Sequence, residues 1–175
     1  MLRELILKLL MSIPVFSEDR SPDLVEAKRH QVEMVASSID IATSRVRWSG
    51  SREDLARLMV VTLRFESSLS LRIHAGDCRA LECDKGKARG PYQQHVTRLV
   101  TQSTWERLAG VDQESTNLAS LVAARQLAGA RHQCAKIPGD WVRMTIAAYA
   151  GRGCLGWFRG IDQRVEAFHR LERTR

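Results

Sequence analysis

The strongest constraint on the fold lies in residues 55–66, where Leu55, Leu58, Met59, Thr62 and Leu63 recur at helical spacing and the stripe ends in an acid, Glu66. A side chain in that register shares a face with the apolar ones, so Glu66 is expected to point inward. The helix is expected to open at Ser51, whose hydroxyl can accept from a free amide, with Glu53 and Asp54 in the first turn. It is expected to stop near Ser67 and Ser68. Glu66 then sits at the negative end of the helix dipole, and dipole and burial both disfavour ionising its carboxyl group. An acid that keeps its proton can hand it to a leaving group, the work of a general acid. The competing expectation is an acid tied to a buried arginine or to a neighbouring cap, because ion-pair networks occupy such positions too.

Helical periodicity extends over most of the chain. Leu2, Leu5, Ile6, Leu9, Leu10 and Ile13 share one face of an N-terminal helix, either docked on the domain or lying on a membrane surface, and docking fits better because the polar face is poor in basic residues. Ser17 to Arg20 read as a turn, which sets residues 1–20 apart from 21–175. Ser21-Pro22-Asp23 starts a helix that runs to about Arg47, with Val25, Val32, Val35 and Ile39 among its apolar positions. Residues 69–90 hold Gly76, Gly86, Gly90 and two cysteines and predict a loop or short hairpin. An ordered connection of that length is usually a binding element. Pro91 is expected to open a helix with Gln93 in its first turn. A short helical piece follows at Trp105 to Ala109, then an amphipathic helix over Glu114 to Ala130 with Asn117 near its cap, closing at Gly129 or soon after. Asp140 is expected to cap a helix through Tyr149, and the last helix covers Ile161 to Arg173. The class is all-α with at most a small hairpin.

With 175 residues, 44% of them hydrophobic and 27% charged, the chain suits one globular domain and excludes disordered and collagen-like classes. A net charge of +7 suits a polyanionic partner such as cell wall, nucleic acid or anionic membrane, although solubility alone also accounts for it. No apolar run is long enough to span a bilayer, and Glu4 and Lys8 break up the N-terminal run, so a signal peptide is not expected. The four cysteines fall into two sets, Cys78 with Cys83 and Cys134 with Cys154. Local pairing is the simplest of three disulfide arrangements; free thiols and zinc remain open, though neither set has the spacing usual for structural zinc. No cofactor or metal is expected.

Taken in order, Glu66-Ser67-Ser68-Leu69, Gly90-Pro91-Tyr92-Gln93, Asn117-Leu118 through Gln126-Leu127 and Ala148-Tyr149-Ala150-Gly151 resemble the four signatures of the lytic transglycosylase and goose-type lysozyme superfamily. The resemblance covers about residues 51–155. It implies a lysozyme-like transglycosylase domain over residues 21–175 whose partner is the glycan strand of peptidoglycan, with no nucleic acid expected. Glu66 would be the sole catalytic acid and base, cutting the β-1,4 bond between N-acetylmuramic acid and N-acetylglucosamine and leaving a 1,6-anhydro end. One carboxyl suffices where the substrate's own N-acetyl group stabilises the cationic centre. Ser67 would orient the acid or the sugar, Gln93 would hold an acetamido or hydroxyl group, and Tyr149 would hydrogen-bond Glu66.

Two departures matter. Pro91 and Tyr92 stand where the family has Leu and Met, so an aromatic at position 92 is expected to stack on a sugar ring. Ala150 stands where the family has Asn, which removes a polar group near the acid. Asp77, Glu82 and Asp84 on the loop leave a hydrolytic muramidase open, since one of them could activate a water. A non-catalytic basic protein that binds wall or nucleic acid is the third reading. The substrate lies outside the cytoplasmic membrane, so action at the wall or periplasm is expected, with delivery by a phage lysis system, a virion or a secretion apparatus.

Overall fold

The computed structural model describes residues 2–14, 21–79 and 83–173. The expected turn at Ser17 to Arg20, and Glu82, lie outside them. Among the described residues the fold is all-α, and pairing between extended segments is limited to one isolated bridge between Arg89 and Gln94. The helices are α1 (Leu2–Met11), α2 (Pro22–Arg45), α3 (Arg52–Glu66), α4 (Leu71–Ala75), the single turn α5 (Cys83–Gly86), α6 (Gln102–Glu106), α7 (Gln113–Cys134), α8 (Trp141–Tyr149) and α9 (Ile161–Glu172).

The centre is α3, which packs against α1, α2, α7 and α9. Eight of its fifteen residues are buried, in an unbroken run from Leu58 to Leu63 as well as at Leu55 and Ala56. A helix buried on nearly all sides needs neighbours on nearly all sides. Its start is fixed as the sequence implies: Ser51 accepts from the Asp54 amide at 3.1 Å and Asp54 reaches back to the Ser51 amide. The N-terminal helix joins the same core, since Ile6, Leu9, Leu10 and Ile13 pack with Val35, Ile39 and the α3 residues. Val25, by contrast, is exposed. No helix among the described residues is long and apolar enough to cross a membrane.

Several boundaries differ from expectation. No helix opens at Pro91: Gly90 and Gln93 take left-handed φ values of 69° and 49°, and Arg89 and Gln94 exchange two backbone hydrogen bonds of 2.9 Å. The segment is therefore a tight reversal that buries Pro91 and Tyr92. The loop before it contains α4, capped by Ser70, then the Cys78–Cys83 disulfide. Asp112, not Asn117, caps α7, accepting from the Ser115 amide at 2.9 Å; Asn117 lies one turn inside, its Oδ1 accepting from Ser38 and Gln113 at 2.8 Å each. That helix runs past Gly129 to Cys134, because the helix formers beyond the glycine outweigh its cost of about 1 kcal/mol. Asp140 caps α8 through the amides of Val142 and Arg143. Cys134 at the end of α7 bonds Cys154 beyond α8, so all four cysteines are in disulfides, in the local pairing.

Candidate functional site

Glu66 is the last residue of α3, and its carboxylate oxygen accepts a hydrogen bond from Arg164 Nη1 at 2.5 Å. The side chains are 25% and 16% exposed respectively. Arg164 lies in the first turns of α9 and is held between two aromatic rings, with its guanidinium carbon 5.2 Å from the Phe65 centroid and 5.3 Å from that of Phe158. A guanidinium on an aromatic face keeps its attraction when water is excluded. The sequence suggests a neutral acid among apolar neighbours; the structure gives the carboxylate a charged partner, the arrangement that was the competing expectation. A signal for Arg164 was present, since it sits three residues after Ile161 and four before Phe168, on the apolar stripe of α9.

The backbone leaves this site by an abrupt turn. Ser67 is buried, with its Oγ donating to the Leu63 carbonyl at 3.3 Å and accepting from the Leu69 amide at 3.2 Å. It closes the helix end and presents no hydroxyl to a ligand. Ser68 and Leu69 then take φ values of 45° and 58°, strained for residues with a Cβ, which swings the chain off the helix axis just past the acid.

Tyr149 ends α8 close enough to feel the charge of Glu66. Burial pushes its hydroxyl well above the ordinary tyrosine range, the charge of Glu66 and the neighbouring Tyr92 hydroxyl add to the rise, and Arg164 opposes it. The hydroxyl stays protonated, but it donates to the Tyr92 carbonyl oxygen at 3.5 Å rather than to Glu66. Tyr92 is 1% exposed. Its ring has no free face for a sugar, and burial raises its hydroxyl too, opposed by a 3.4 Å contact to Ser120 Oγ. Gln93 is half-buried and turns its amide back to the Gly90 carbonyl at 3.0 Å. The residue that reaches inward is its neighbour Gln94, 2% exposed, which donates to Ala119 O and Gln126 Oε1. Successive side chains here face opposite ways, so Tyr92 and Gln94 are both buried while Gln93 between them is less covered.

Hydrogen bonds link three of the four sequence segments, Tyr149 to Tyr92 and the Tyr92 segment to α7 through Ser120, Ala119 and Gln126, while Glu66 reaches Tyr149 only through the field of its charge. A surface groove of about 410 Å³ runs beside Tyr149, bordered by Arg98, Leu99, Gln126, Gln133 and Ala148. Glu66 is not part of its wall. Of the loop acids, Asp84 is exposed, 3.8 Å from His95 Nε2, and Asp77 accepts from Arg72 through its carbonyl oxygen, not its carboxylate. Among the described residues no cluster of three or more histidine, cysteine or acidic side chains could hold a metal ion. Comparison with family models, curated proteins and solved structures gives no match.

Proposed function

We propose that the chain cleaves the glycan strand of peptidoglycan in the manner of a lytic transglycosylase, with Glu66 as the single acid and base. The observation that carries this reading is that short segments far apart in sequence are bonded together, Tyr149 to the Tyr92 carbonyl and Tyr92 to Ser120, while Glu66 is held by Arg164 at the end of α3. Glu66 delivers a proton to the bridging oxygen as the glycosidic bond breaks, and the substrate's acetamido group supports the cationic carbon. The carboxylate then takes the proton of the C6 hydroxyl, whose oxygen closes on the anomeric carbon, and the acid is restored. Arg164 stabilises the charged stage between these steps and fixes the carboxylate, leaving its second oxygen for the sugar. The net charge of +7 suits an anionic wall.

The test is clearing of purified sacculi by the wild-type chain and by Glu66→Gln, with mass spectrometry of the released fragments. Anhydro ends are expected from the wild type and no release from the variant. Reducing ends would point to the hydrolytic muramidase, and unchanged clearing by the variant would end the proposal.

One observation favours a non-catalytic reading: the same ion pair joins α3 to α9 and has a structural use without any chemistry. On that reading sacculi bind the protein and release nothing.

A further inference from the structure

The loop after α8 holds an aromatic side chain that the site described above does not use. Trp157 is 67% exposed, more open than any other Phe, Trp or Tyr among the described residues. The chain carries ten aromatic residues, and those in Trp48, Phe65, Trp105, Trp141, Phe158 and Tyr149 are at least partly covered. An indole left in solvent keeps an apolar face open to a ligand and a polar N–H at its edge.

Its setting is firm. Cys154, three residues before it, is bonded to Cys134 at the end of α7. Gly156 lies so close to the Arg152 carbonyl that a Cβ there would meet the oxygen at 2.0 Å, so the tight turn just before Trp157 requires glycine. On the other side of Trp157 is Phe158, whose ring holds Arg164 against Glu66. The exposed ring thus belongs to a braced loop and is next in sequence to Phe158, one of the two rings that hold Arg164. Arg152 and Arg159, both exposed, flank it.

We propose that Trp157 is a carbohydrate platform: its indole stacks on the apolar face of an N-acetylated sugar of the strand whose neighbouring bond lies at Glu66. Arg152 and Arg159 meet carboxylates carried by the same strand. This supplies the exposed ring that Tyr92, buried in the core, does not. The inference rests on the glycan reading of the Glu66 site and names a residue for substrate binding outside the four sequence segments.

The test uses the full chain and a hexamer of N-acetylglucosamine as probe, in the Glu66→Gln background so that binding is separated from cleavage. Binding is followed by tryptophan fluorescence and by calorimetry. Trp157→Ala is expected to weaken binding about tenfold, as loss of one stacked ring implies, with Trp157→Phe recovering most of the affinity and the melting temperature unchanged. In the otherwise wild-type chain, Trp157→Ala is expected to raise KM on sacculi far more than it lowers kcat. Equal hexamer affinity of Trp157→Ala and its parent would overturn the platform, as would the absence of any hexamer binding. Binding to phosphatidylglycerol vesicles that is lost in Trp157→Ala, without hexamer binding, would overturn it in favour of a membrane contact. Sacculi cleaved equally with and without Trp157 would sink the platform and leave the glycan reading standing; Trp157-dependent hexamer binding without any cleavage would do the reverse.

Discussion

Glu66 and Arg164 meet at 2.5 Å across 98 residues of sequence, tying the last turn of α3 to the first turns of α9. Each is the charged member of an otherwise apolar stripe, so packing the two stripes together brings the charges into contact. A partly buried pair of this kind is lost expensively when one member is removed and cheaply when both are.

A double-mutant cycle reads that coupling. Glu66→Gln and Arg164→Met are each expected to destabilise the chain, the second by about 2 kcal/mol because it leaves a partly buried carboxylate without its donor. The double variant is expected to lose less than the sum, by about 1–2 kcal/mol. Strict additivity in denaturant unfolding would show that the two side chains do not interact in solution.

Tyr149→Phe removes the hydroxyl that joins α8 to the Tyr92 carbonyl while keeping the ring. At 3.5 Å this hydrogen bond is long, so the expected stability loss is below about 1 kcal/mol. Under the glycan reading the same change is expected to lower kcat on sacculi about tenfold with KM little altered, since the hydroxyl's bond to the Tyr92 carbonyl holds that segment in place. A KM effect with unchanged kcat would assign Tyr149 to ground-state binding instead.

What could be read in advance follows from the range of the interactions involved. The caps at Ser51 and Asp140 and the helix start at Pro22 are set by residues within one or two turns, and each was legible. The reversal at Gly90–Gln93 was not, because Pro91 is as compatible with a tight turn as with a helix start. Its outcome depends on burying Tyr92 against Ser120, 28 residues away. That same burial withdrew Tyr92 from the role of sugar platform and exchanged Gln93 for Gln94. Arg164 was visible as a charge on an apolar face, but choosing it as the partner of Glu66 needed the packing of α3 on α9.

The two disulfides differ in the chain they close, with sequence separations of 20 for Cys134–Cys154 and 5 for Cys78–Cys83. Loop-closure entropy makes the longer one worth about 1 kcal/mol more. Cys134→Ser with Cys154→Ser is therefore expected to lower the melting temperature more than Cys78→Ser with Cys83→Ser. It also frees the loop bearing Trp157, so hexamer binding should weaken with it. The opposite order of melting temperatures would mean that the Cys78–Cys83 bridge contributes more to the folded state than its short loop implies.

His74 gives the chain a pH dependence whose sign is fixed by burial. The ring is 0% exposed, with Nδ1 2.9 Å from Gln31 Nε2 and Nε2 3.1 Å from Thr116 Oγ1, linking α4 to α2 and α7. Thr116 donates its own proton to the Asp112 carbonyl at 2.8 Å, so the ring donates through Nε2 and accepts through Nδ1, which is the neutral tautomer. Burial pushes His74 down to about 4, the charge of Lys28 adds to the fall, and Asp112 opposes it. Between pH 6.5 and about 4 the unfolded chain takes up a proton at this residue that the folded chain refuses. Stability is therefore full above pH 6.5 and falls as the pH drops toward 4, by about 3 kcal/mol in all from this one ring. Urea unfolding across that window is expected to show the decline, and His74→Gln, though less stable at pH 7, is expected to show a flatter one. A slope in the variant equal to that of the wild type would assign the acid sensitivity to other groups.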